Sequence, residues 1–365
     1  MRYYRRRFSL ILSIIAGLLL GHPAKSEPKF SRQIDSGRKL IRNLMKRQKI
    51  PGLAIAVWSK GRIVWSEGFG FADLEGRVAV TAETRFRIGS ISKSLTAAAV
   101  GQLVEAKKLD LDAPVQKYVP AFPKKRFKIT TRQLCGHLAG IRHYRGTEFL
   151  NRKNYLAVSD GLKIFSNDRL LHRPGTKYSY SSYGFNLVSA VVESASGQPF
   201  LLYMRKQVFD RLKMKNTVAD RPSAIIPNRT RFYARSLLGQ LVNAPSVNNS
   251  YKWAGGGFLS TPEDLCKFAS AHLGNGFLRP ATIKLLWTAQ KTFDGKRTRY
   301  GIGWSVGKEK NGQLRVGHGG GSVGGSSQLV VFPKQRVILV ITANMTRVGY
   351  GQVHSKIARS FLSAP

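Results

Sequence analysis

The chain has 365 residues and carries 60 lysines and arginines against 19 aspartates and glutamates, so its formal net charge is +41. It is long enough to bury a large core in one domain or in two closely packed domains. Its two cysteines, Cys135 and Cys266, exclude a disulfide scaffold, and neither has metal-ligating neighbours at a recognisable spacing. Because both lie in apolar helical contexts, we expect buried thiols, although an oxidising compartment would allow one disulfide.

The first 26 residues are typical of an export signal. Met1–Arg7 is basic, the 13 residues Phe8–Leu20 are apolar, and Ala24-Lys25-Ser26 offers small residues at a cleavage site. The apolar run is shorter than the ~20 residues that a membrane-spanning helix needs. We therefore expect an exported protein, periplasmic or secreted, with a mature domain of residues 27–365. An uncleaved signal that anchors the chain is the alternative.

Lysines and arginines are dispersed along the chain, which predicts a cationic surface rather than one basic groove. Nucleic acid is the usual partner of so basic a protein, but no helix-turn-helix, zinc-finger or RNA-binding signature is present, and the chain begins with an export signal. We expect no nucleic acid, and prefer anionic polymers or lipid headgroups of the cell envelope. A solvated cationic surface without a partner is the alternative.

Hydrophobic periodicity predicts strands at both ends of the chain and helices between them. The predicted strands cover residues 53–58, 62–65, 69–73, 84–86, 300–306, 328–332 and 337–342. The predicted helices cover residues 34–45, 129–138, 183–196, 201–212, 261–273 and 353–361, together with one that begins at Ser90. This order predicts an α/β (α+β) fold: a mixed antiparallel sheet flanked by the terminal helices, with an inserted all-helical domain. The sheet part would comprise about residues 27–105 and 290–365 and the helical part about residues 106–289, with a pocket at their junction.

One serine and one lysine stand out at the start of the Ser90 helix. Ser90 follows Gly89 and opens an apolar run, so its hydroxyl and N–H lie at the positive end of a helix. Lys93 lies three residues on, on the same helix face, where burial would lower the pKa of its amine and let it take the serine proton. A serine that only caps the helix is the alternative.

A second candidate group precedes the helix predicted at residues 183–196. The run Tyr178-Ser-Tyr180-Ser-Ser182 forms this loop, and a tyrosine placed there can direct its hydroxyl into a cleft. Beside Lys93, the phenol of Tyr180 would share the proton, first as a base and then as an acid toward the leaving group. The alternative is that this aromatic side chain only packs.

A glycine-rich stretch, Gly317–Gly325, lies at the start of a C-terminal strand. Glycines in an edge strand let a ligand approach the backbone, so an N–H here and that of Ser90 would be two donors to an oxyanion, each typically worth ~3 kcal/mol of barrier. A phosphate loop fits poorly, because no Gly-Lys-Ser/Thr follows. A plain glycine-rich hairpin remains open, and His318 would either orient the substrate or pack.

Together these motifs resemble those of the serine β-lactamase and penicillin-binding protein family. Ser90-Ile-Ser-Lys93, Tyr180-Ser-Ser182 and His318-Gly-Gly320 follow one another as do Ser-x-x-Lys, Tyr-x-Asn and Lys/His-x-Gly in its class C-like branch. The likeness covers roughly residues 34–362. Further matching stretches are Gly52–Val57, His137–Ile141, Pro174–Thr176, Ala254–Gly257, Ser260–Asp264 and Tyr300–Trp304. The stretches Ser90–Thr96, Leu109–Asp112 and Gly140–Tyr144 are most similar to the branch of mitochondrial β-lactamase-like serine proteases.

The resemblance implies an exported, cofactor-free serine hydrolase of the family's fold. Ser90 would attack an amide or ester carbonyl, Lys93 and Tyr180 would move its proton, and the N–H groups of Ser90 and Gly321 would hold the oxyanion. The implied substrate-binding residues are Ser182, His318, Gly319 and Gly320. The expected substrates, in falling order, are peptides or peptidoglycan stems, small esters and β-lactams. A non-catalytic, cationic envelope-binding protein on the same fold is the alternative.

Two departures from the family pattern bear on the substrate. Ser182 stands where the family usually has asparagine, which favours peptidase- or esterase-like chemistry over efficient β-lactam hydrolysis. His318 replaces lysine, and a histidine that is largely neutral near pH 7 is less suited to hold a β-lactam carboxylate.

Overall fold

The computed structural model describes residues 25–26, 28–309 and 311–362. The predicted export signal therefore lies outside the described residues, apart from its last two positions. In the part of the chain that is described, no helix is both long enough and apolar enough to cross a membrane.

The main sheet is assembled from strands at both ends of the chain. The strands are β1 (Lys25–Ser26), β2 (Gly52–Ser59), β3 (Arg62–Asp73), β4 (Val78–Ala79), β5 (Phe86–Arg87), β6 (Val218–Ala219), β7 (Tyr233–Arg235), β8 (Leu241–Asn243), β9 (Phe258–Ser260), β10 (Ser305–Lys308), β11 (Leu314–Ser322), β12 (Gly325–Phe332) and β13 (Val337–Ala343). Eight of these strands form the main sheet, in the order β1-β3-β2-β13-β12-β11-β10 with β4 beside β3, and every pairing among them is antiparallel. Every residue of β2 and β13 is buried, because helices cover both faces of the sheet there.

The helices divide between the two faces of this sheet. They are α1 (Ser31–Gln48), α2 (Ile91–Glu105), α3 (Thr131–Cys135), α4 (Val158–Leu162), α5 (Ser182–Ser196), α6 (Phe200–Tyr203), α7 (Trp253–Gly256), α8 (Pro262–Ala271), α9 (Pro280–Leu286) and α10 (Val353–Ser360). The terminal helices α1 and α10 pack through Ile34, Ile41 and Ile357 on one face. The other helices share a larger core with the opposite face.

Helix α2 lies inside this larger core. Twelve of its 15 residues are buried, including Lys93, and it contacts α5, α7 and α9 as well as strands β11 and β12. A helix that is apolar on all sides is stable only when it is surrounded. The start of α2 therefore has a fixed position between the sheet and the helical part of the chain.

The predicted α/β (α+β) arrangement is confirmed, with strands from both ends of the chain around an insertion. The insertion is not all helical, because it contributes β6 and β9, which form a small sheet with β5 in the order β5-β9-β6, and the separate hairpin of β7 and β8. The division into two parts at about residues 106 and 289 stays a prediction. Cys135 and Cys266 are buried free thiols, as expected.

The strands predicted at 62–65 and 69–73 form one strand, β3, and the strand predicted at 84–86 is observed as β5. Three further predicted elements differ more strongly from those observed. The helix expected at 129–138 ends at Cys135, because His137 and Gly140 adopt left-handed backbone conformations (φ 59° and 71°). The helix expected at 201–212 is the short α6 followed by a π-helix, Met204–Asp210. The strand expected at 300–306 begins only at Ser305, after the chain turns at Gly303 (φ 73°).

Candidate active site

Ser90 lies where the chain passes from β5 into α2. Its backbone is already helical (φ −67°, ψ −6°), and its side chain makes no capping hydrogen bond, so the plain N-cap interpretation is wrong. Gly89 before it has φ 49°, and a Cβ on Gly89 would lie 2.6 Å from the backbone nitrogen of Gly321. Only glycine fits such a position. The backbone just before Ser90 is therefore held directly against strand β11.

Lys93 is completely buried, and its amine joins three helices. Nζ lies 3.0 Å from Ser90 Oγ, 3.0 Å from Ser182 Oγ on α5, and 2.6 Å from the carbonyl oxygen of Gly255 on α7. Among the described residues no carboxylate contacts this amine. The three contacts fix the amine beside the serine hydroxyl.

Burial is the main cause that lowers the pKa of Lys93 well below its ordinary value, and the nearby charge of Lys252 lowers it further. Lys252 is buried as well, and its Nζ lies 4.3 Å from the centroid of the Phe149 ring and 5.3 Å from that of Tyr251. Burial lowers the pKa of Lys252 to about 7. A lysine whose pKa is lowered loses its proton more readily than an exposed lysine, and the neutral amine is a base.

The start of α5 positions Ser182. Ser181 caps this helix: its Oγ accepts a hydrogen bond from the N–H of Gly184 (2.9 Å) and donates one to the carbonyl oxygen of Arg142 (2.6 Å). Arg142 is in turn held by ion pairs with Glu148 and Asp168. This buried network anchors the loop from which the side chain of Ser182 reaches Lys93.

Tyr180 lies on the same loop and closes one side of the site. Its ring centroid is 4.2 Å from that of His137 and 4.9 Å from Nζ of Lys93. Burial raises the pKa of the Tyr180 phenol above its ordinary value, although hydrogen bonds with the hydroxyls of Ser90 and Ser182 lower it in part. The phenol is thus protonated at neutral pH and lies within hydrogen-bonding reach of the serine.

Strand β11 presents a free edge to this group. Strand β10 pairs only with Leu314–Gly317, so Gly319–Gly321 have β12 on one side and, among the described strands, none on the other. A Cβ on Gly320 would lie 2.0 Å from the carbonyl oxygen of Ile88, whereas one on Gly321 would have no atom within 4 Å. The strand therefore packs tightly at Gly320 and opens at Gly321, where the N–H would meet a substrate.

His318 is buried and held by the protein through both ring nitrogens. Nδ1 lies 2.6 Å from the carbonyl oxygen of Gly319, and Nε2 lies 2.7 Å from the hydroxyl of Tyr300. Burial, and then the charge of Lys93, lowers the pKa of His318 to about 3. A neutral ring that donates from Nδ1 and accepts at Nε2 satisfies both contacts. His318 therefore shapes the site and holds Tyr300, without a charge for a substrate anion.

The structure brings the sequence-predicted residues together around Ser90 and adds others that the sequence reasoning missed. The N–H of Ser182 donates to Nδ1 of His143 (3.2 Å), and the hydroxyl of Tyr144 hydrogen-bonds to the Ser182 side chain. These two residues, and Gly255, lie in stretches that matched the family pattern, but the sequence assigned them no contact. For Lys252, no sequence pattern indicated a place near the site.

A cavity of about 940 Å³ adjoins the site. It shares Tyr178, His318 and Gly319 with the candidate site, and most of its other lining residues lie on β10, β11 and residues 287–300. Ser90 and Lys93 are not among its lining residues. No group of three or more side chains able to hold a metal ion occurs in the described ranges.

Comparison with known proteins finds relatives over most of the chain. A family model described as Beta-lactamase matches residues 38–359. The chain is 35% identical to the serine beta-lactamase-like protein LACTB, mitochondrial, of Bos taurus, over 91% of this chain and 80% of the relative. It is 26% identical to a D-aminopeptidase of Brucella anthropi, over 77% of this chain and 53% of that protein. The structure of an octameric penicillin-binding protein homologue from Pyrococcus abyssi superposes with a TM-score of 0.77 at 26% identity, over 90% of this chain and 76% of that one.

Proposed function

Because this chain belongs to the Beta-lactamase family of serine hydrolases, as its motifs predicted, we propose that it hydrolyses peptide amide bonds through an acyl-enzyme on Ser90. The observation that carries the proposal is the buried amine of Lys93, 3.0 Å from Ser90 Oγ and without a carboxylate beside it. A neutral amine in this position activates a hydroxyl, which a solvated and charged lysine does not.

The hydrogen bonds around Lys93 suit its role as the base. A neutral amine has two N–H donors and one lone pair. The carbonyl oxygen of Gly255 can only accept, and Ser182 Oγ accepts the second N–H, so the lone pair is left for the hydroxyl hydrogen of Ser90. When Ser90 Oγ attacks the substrate carbonyl carbon, its proton passes to Nζ of Lys93.

The negative charge that develops on the carbonyl oxygen is held by the N–H groups of Ser90 and Gly321. The close approach of Gly89 to the nitrogen of Gly321 supports this pairing, because it holds the two backbone segments together. Backbone donors already in place cost no reorganisation during the reaction.

Tyr180 acts as the proton donor to the leaving group. Its phenol remains protonated because burial raises its pKa, so it hands a proton to the leaving amine and recovers one from the Lys93 ammonium. Cleavage of the C–N bond leaves the acyl group on Ser90. Water, deprotonated by the same pair, then attacks this ester, and the proton returns to Ser90.

Peptides are the substrate class that the site favours. The relative from Brucella anthropi is named a D-aminopeptidase, and cell-wall stem peptides are peptides that contain D-residues. Small esters would react by the same steps. β-Lactams come last, because neutral His318 offers no charge to a β-lactam carboxylate and Ser182 replaces the usual asparagine.

Export to the periplasm or the exterior is part of the same proposal and rests on the sequence of residues 1–26. Cell fractionation followed by N-terminal sequencing of the purified protein tests it. A mature N-terminus near residue 27 supports export, and a cytosolic protein that retains Met1 contradicts it.

The proposed chemistry is tested by labelling the wild-type protein with a fluorophosphonate and a penicillin probe, alongside the variant Ser90→Ala. The variant Ser305→Ala is the matched control, since Ser305 and Lys308 repeat the Ser-x-x-Lys spacing on exposed β10. We expect label on the wild type and on Ser305→Ala and none on Ser90→Ala. Label on Ser90→Ala would end the assignment. A panel of D-Ala-D-Ala peptides, esters and nitrocefin then ranks the substrates.

A further inference from the structure

Two neighbouring hairpins expose large apolar side chains. Leu74 and Val78 lie on the hairpin of β3 and β4, and Leu237, Leu238 and Val242 lie on that of β7 and β8. They account for five of the twelve large apolar side chains that are exposed among the described residues. Leu237 and Leu238 are 107% and 85% exposed. We call these five residues the two-hairpin surface.

The two hairpins are held to each other by hydrogen bonds. The N–H of Leu74 donates to the hydroxyl of Tyr233 (2.7 Å), and the side-chain amide of Asn243 donates to Glu75 (2.6 Å). The turn that carries Leu237 and Leu238 is itself closed by a hydrogen bond from Ser236 N–H to the carbonyl oxygen of Gln240 (2.9 Å). The apolar side chains are therefore presented together on ordered backbone.

Exposed cations lie on the two hairpins and on the segments that contact them. They are Lys46, Arg47 and Lys49 at the end of α1, Arg77, Arg231 and Arg235 on the hairpins, and Arg347. Arg235 links the hairpin to α1, because its guanidinium donates to the carbonyl oxygen of Gln48. The carboxylates here are Asp73 and Glu75, and both lie beside Arg231. These segments therefore carry seven exposed positive side chains and two carboxylates, so their net charge is positive.

We propose that the two-hairpin surface docks the protein on an anionic phospholipid bilayer. Leu237 and Leu238 enter the boundary between headgroups and acyl chains, and the surrounding lysines and arginines contact the lipid phosphates. Apolar tips give affinity through burial, and basic side chains add attraction that depends on anionic lipid. This inference does not depend on the proposed hydrolytic activity.

A bilayer fits this surface better than two other partners. A second copy of the chain would bring two patches of the same charge together, which is unfavourable. A soluble anionic polymer would pair with the cations but would leave the leucines in water. An anionic bilayer satisfies both the charge and the apolar tips.

The leucines are tested by co-sedimentation of the purified chain with vesicles of phosphatidylglycerol and phosphatidylethanolamine, and with vesicles of phosphatidylcholine alone. The test variant is Leu237→Ser with Leu238→Ser. The matched control is Leu156→Ser with Ile225→Ser, which are 91% and 99% exposed elsewhere. We expect the wild type and the control to bind the anionic vesicles, and the test variant to bind about tenfold or more weakly. Equal binding by all three proteins overturns the proposal.

The position of the cations is tested by two double variants with the same change of net charge. Arg47→Glu with Lys49→Glu lies beside the surface, and Lys124→Glu with Lys128→Glu lies on an exposed segment elsewhere. A larger loss of vesicle binding for the first pair supports the proposal. Equal losses mean diffuse attraction of a cationic protein and overturn it. Two other results would overturn it. In the first, sedimentation velocity shows that the leucine variant no longer self-associates, while its vesicle binding is unchanged. In the second, the wild type and the leucine variant bind dextran sulfate equally well, and neither binds vesicles.

Discussion

Lys93 contacts Ser90, and a second buried lysine, Lys252, lies close enough for its charge to lower the pKa of the Lys93 amine. Lys93 has hydrogen-bond partners but no negative charge beside it, whereas Lys252 is surrounded by aromatic rings. Each charge makes it harder for the other amine to be protonated, because two ammonium groups in a buried site repel each other. A protonated Lys252 therefore helps to keep Lys93 neutral, and a neutral Lys93 is what the proposed chemistry requires.

Replacing Lys252 by methionine should move the acidic limb of the pH profile. Without the neighbouring charge, the pKa of Lys93 rises, so the active neutral amine is lost at a higher pH as the solution is acidified. We expect the acidic limb of kcat/KM to move up by about one pH unit, most clearly below pH 7, where Lys252 itself is charged. The control Lys252→Arg keeps the charge and should leave the limb in place. An unmoved limb in a folded Lys252→Met protein would contradict this coupling.

Replacing Tyr180 by phenylalanine should separate substrates by leaving group. An amine must be protonated as it departs, whereas a nitrophenolate leaves without a proton. We expect kcat for amide substrates to fall by ~100-fold or more and that for p-nitrophenyl esters to fall far less. Steady-state kinetics on both substrates measure the difference. The exposed Tyr178 provides the control, since Tyr178→Phe should change neither rate strongly, and equal losses on both substrates for Tyr180→Phe would argue against a proton donor.

Sequence reasoning identified the site residues whose spacing along the chain determines how they lie relative to one another. Ser90 and Lys93 lie on one face of one helix, and Tyr180 and Ser182 lie on one loop. Their roles in catalysis stay predictions. The contact of Gly255 with Lys93 was missed because it forms only when α7 packs on α2, and the spacing of these residues along the chain does not reveal it.

At the scale of elements, the site depends on how closely β11 approaches the turn before α2. Glycines stand on both sides of this contact. A Cβ on Gly89 would strike the backbone of Gly321, and a Cβ on Gly320 would strike the carbonyl oxygen of Ile88. The glycine-rich stretch is thus required by backbone packing beside the serine. The plain hairpin interpretation does not explain why glycine recurs there.

The variants Gly320→Ala and Gly321→Ala should differ in stability although they are neighbours. A methyl group at Gly320 would lie 2.0 Å from Ile88 O and 2.2 Å from Ser327 Oγ, so the strand must shift. We expect the free energy of unfolding to fall by about 1–3 kcal/mol. At Gly321 nothing lies within 4 Å, and we expect a change of less than ~0.5 kcal/mol. Urea denaturation followed by circular dichroism measures both, and equal stabilities would show that the contact is not tight.

The prediction of helices succeeded where the hydrophobic pattern was long and a capping residue marked the start or the end of the helix. Helix α5 ends at Gly197 in a left-handed conformation (φ 68°), and Thr261 caps α8, both as the sequence indicated. It failed where tertiary contacts bend the chain. The turn at Gly303, for example, exists because this glycine packs against Ala97 and the backbone of Lys93. No local periodicity reveals such a contact.

At the scale of the whole molecule, strands from the two ends of the chain and an insertion between them must meet at one place. The order of elements predicted this arrangement, but it could not show what holds the parts together. One buried ion pair does so. Nε of Arg87 on β5 lies 2.6 Å from Asp220, just after β6 in the insertion, and Nη1 of Arg87 donates to the carbonyl oxygen of Val323 in the turn between β11 and β12 (2.8 Å). Arg87 therefore joins three parts of the chain three residues before Ser90.

Removing Asp220 should destabilise the protein far more than removing an exposed partner. The side chain of Asp220 is almost inaccessible, so Asp220→Ala leaves the Arg87 guanidinium buried without its counter-charge, and we expect a loss of about 3–5 kcal/mol in the free energy of unfolding. The exposed pair of Arg132 and Asp112, at 2.7 Å, is the control, and Asp112→Ala should cost about 0–1 kcal/mol.

The double variant Arg87→Met with Asp220→Ala tests why Asp220→Ala destabilises the protein. The cause is either the buried, unpaired charge of Arg87 or only the loss of a contact. Because the double variant removes both charges, it should be more stable than Asp220→Ala by itself. Chemical denaturation of the four proteins measures these differences. If Asp220→Ala and Asp112→Ala cost the same, Arg87 is not dehydrated, and the junction beside Ser90 must be held by apolar packing instead.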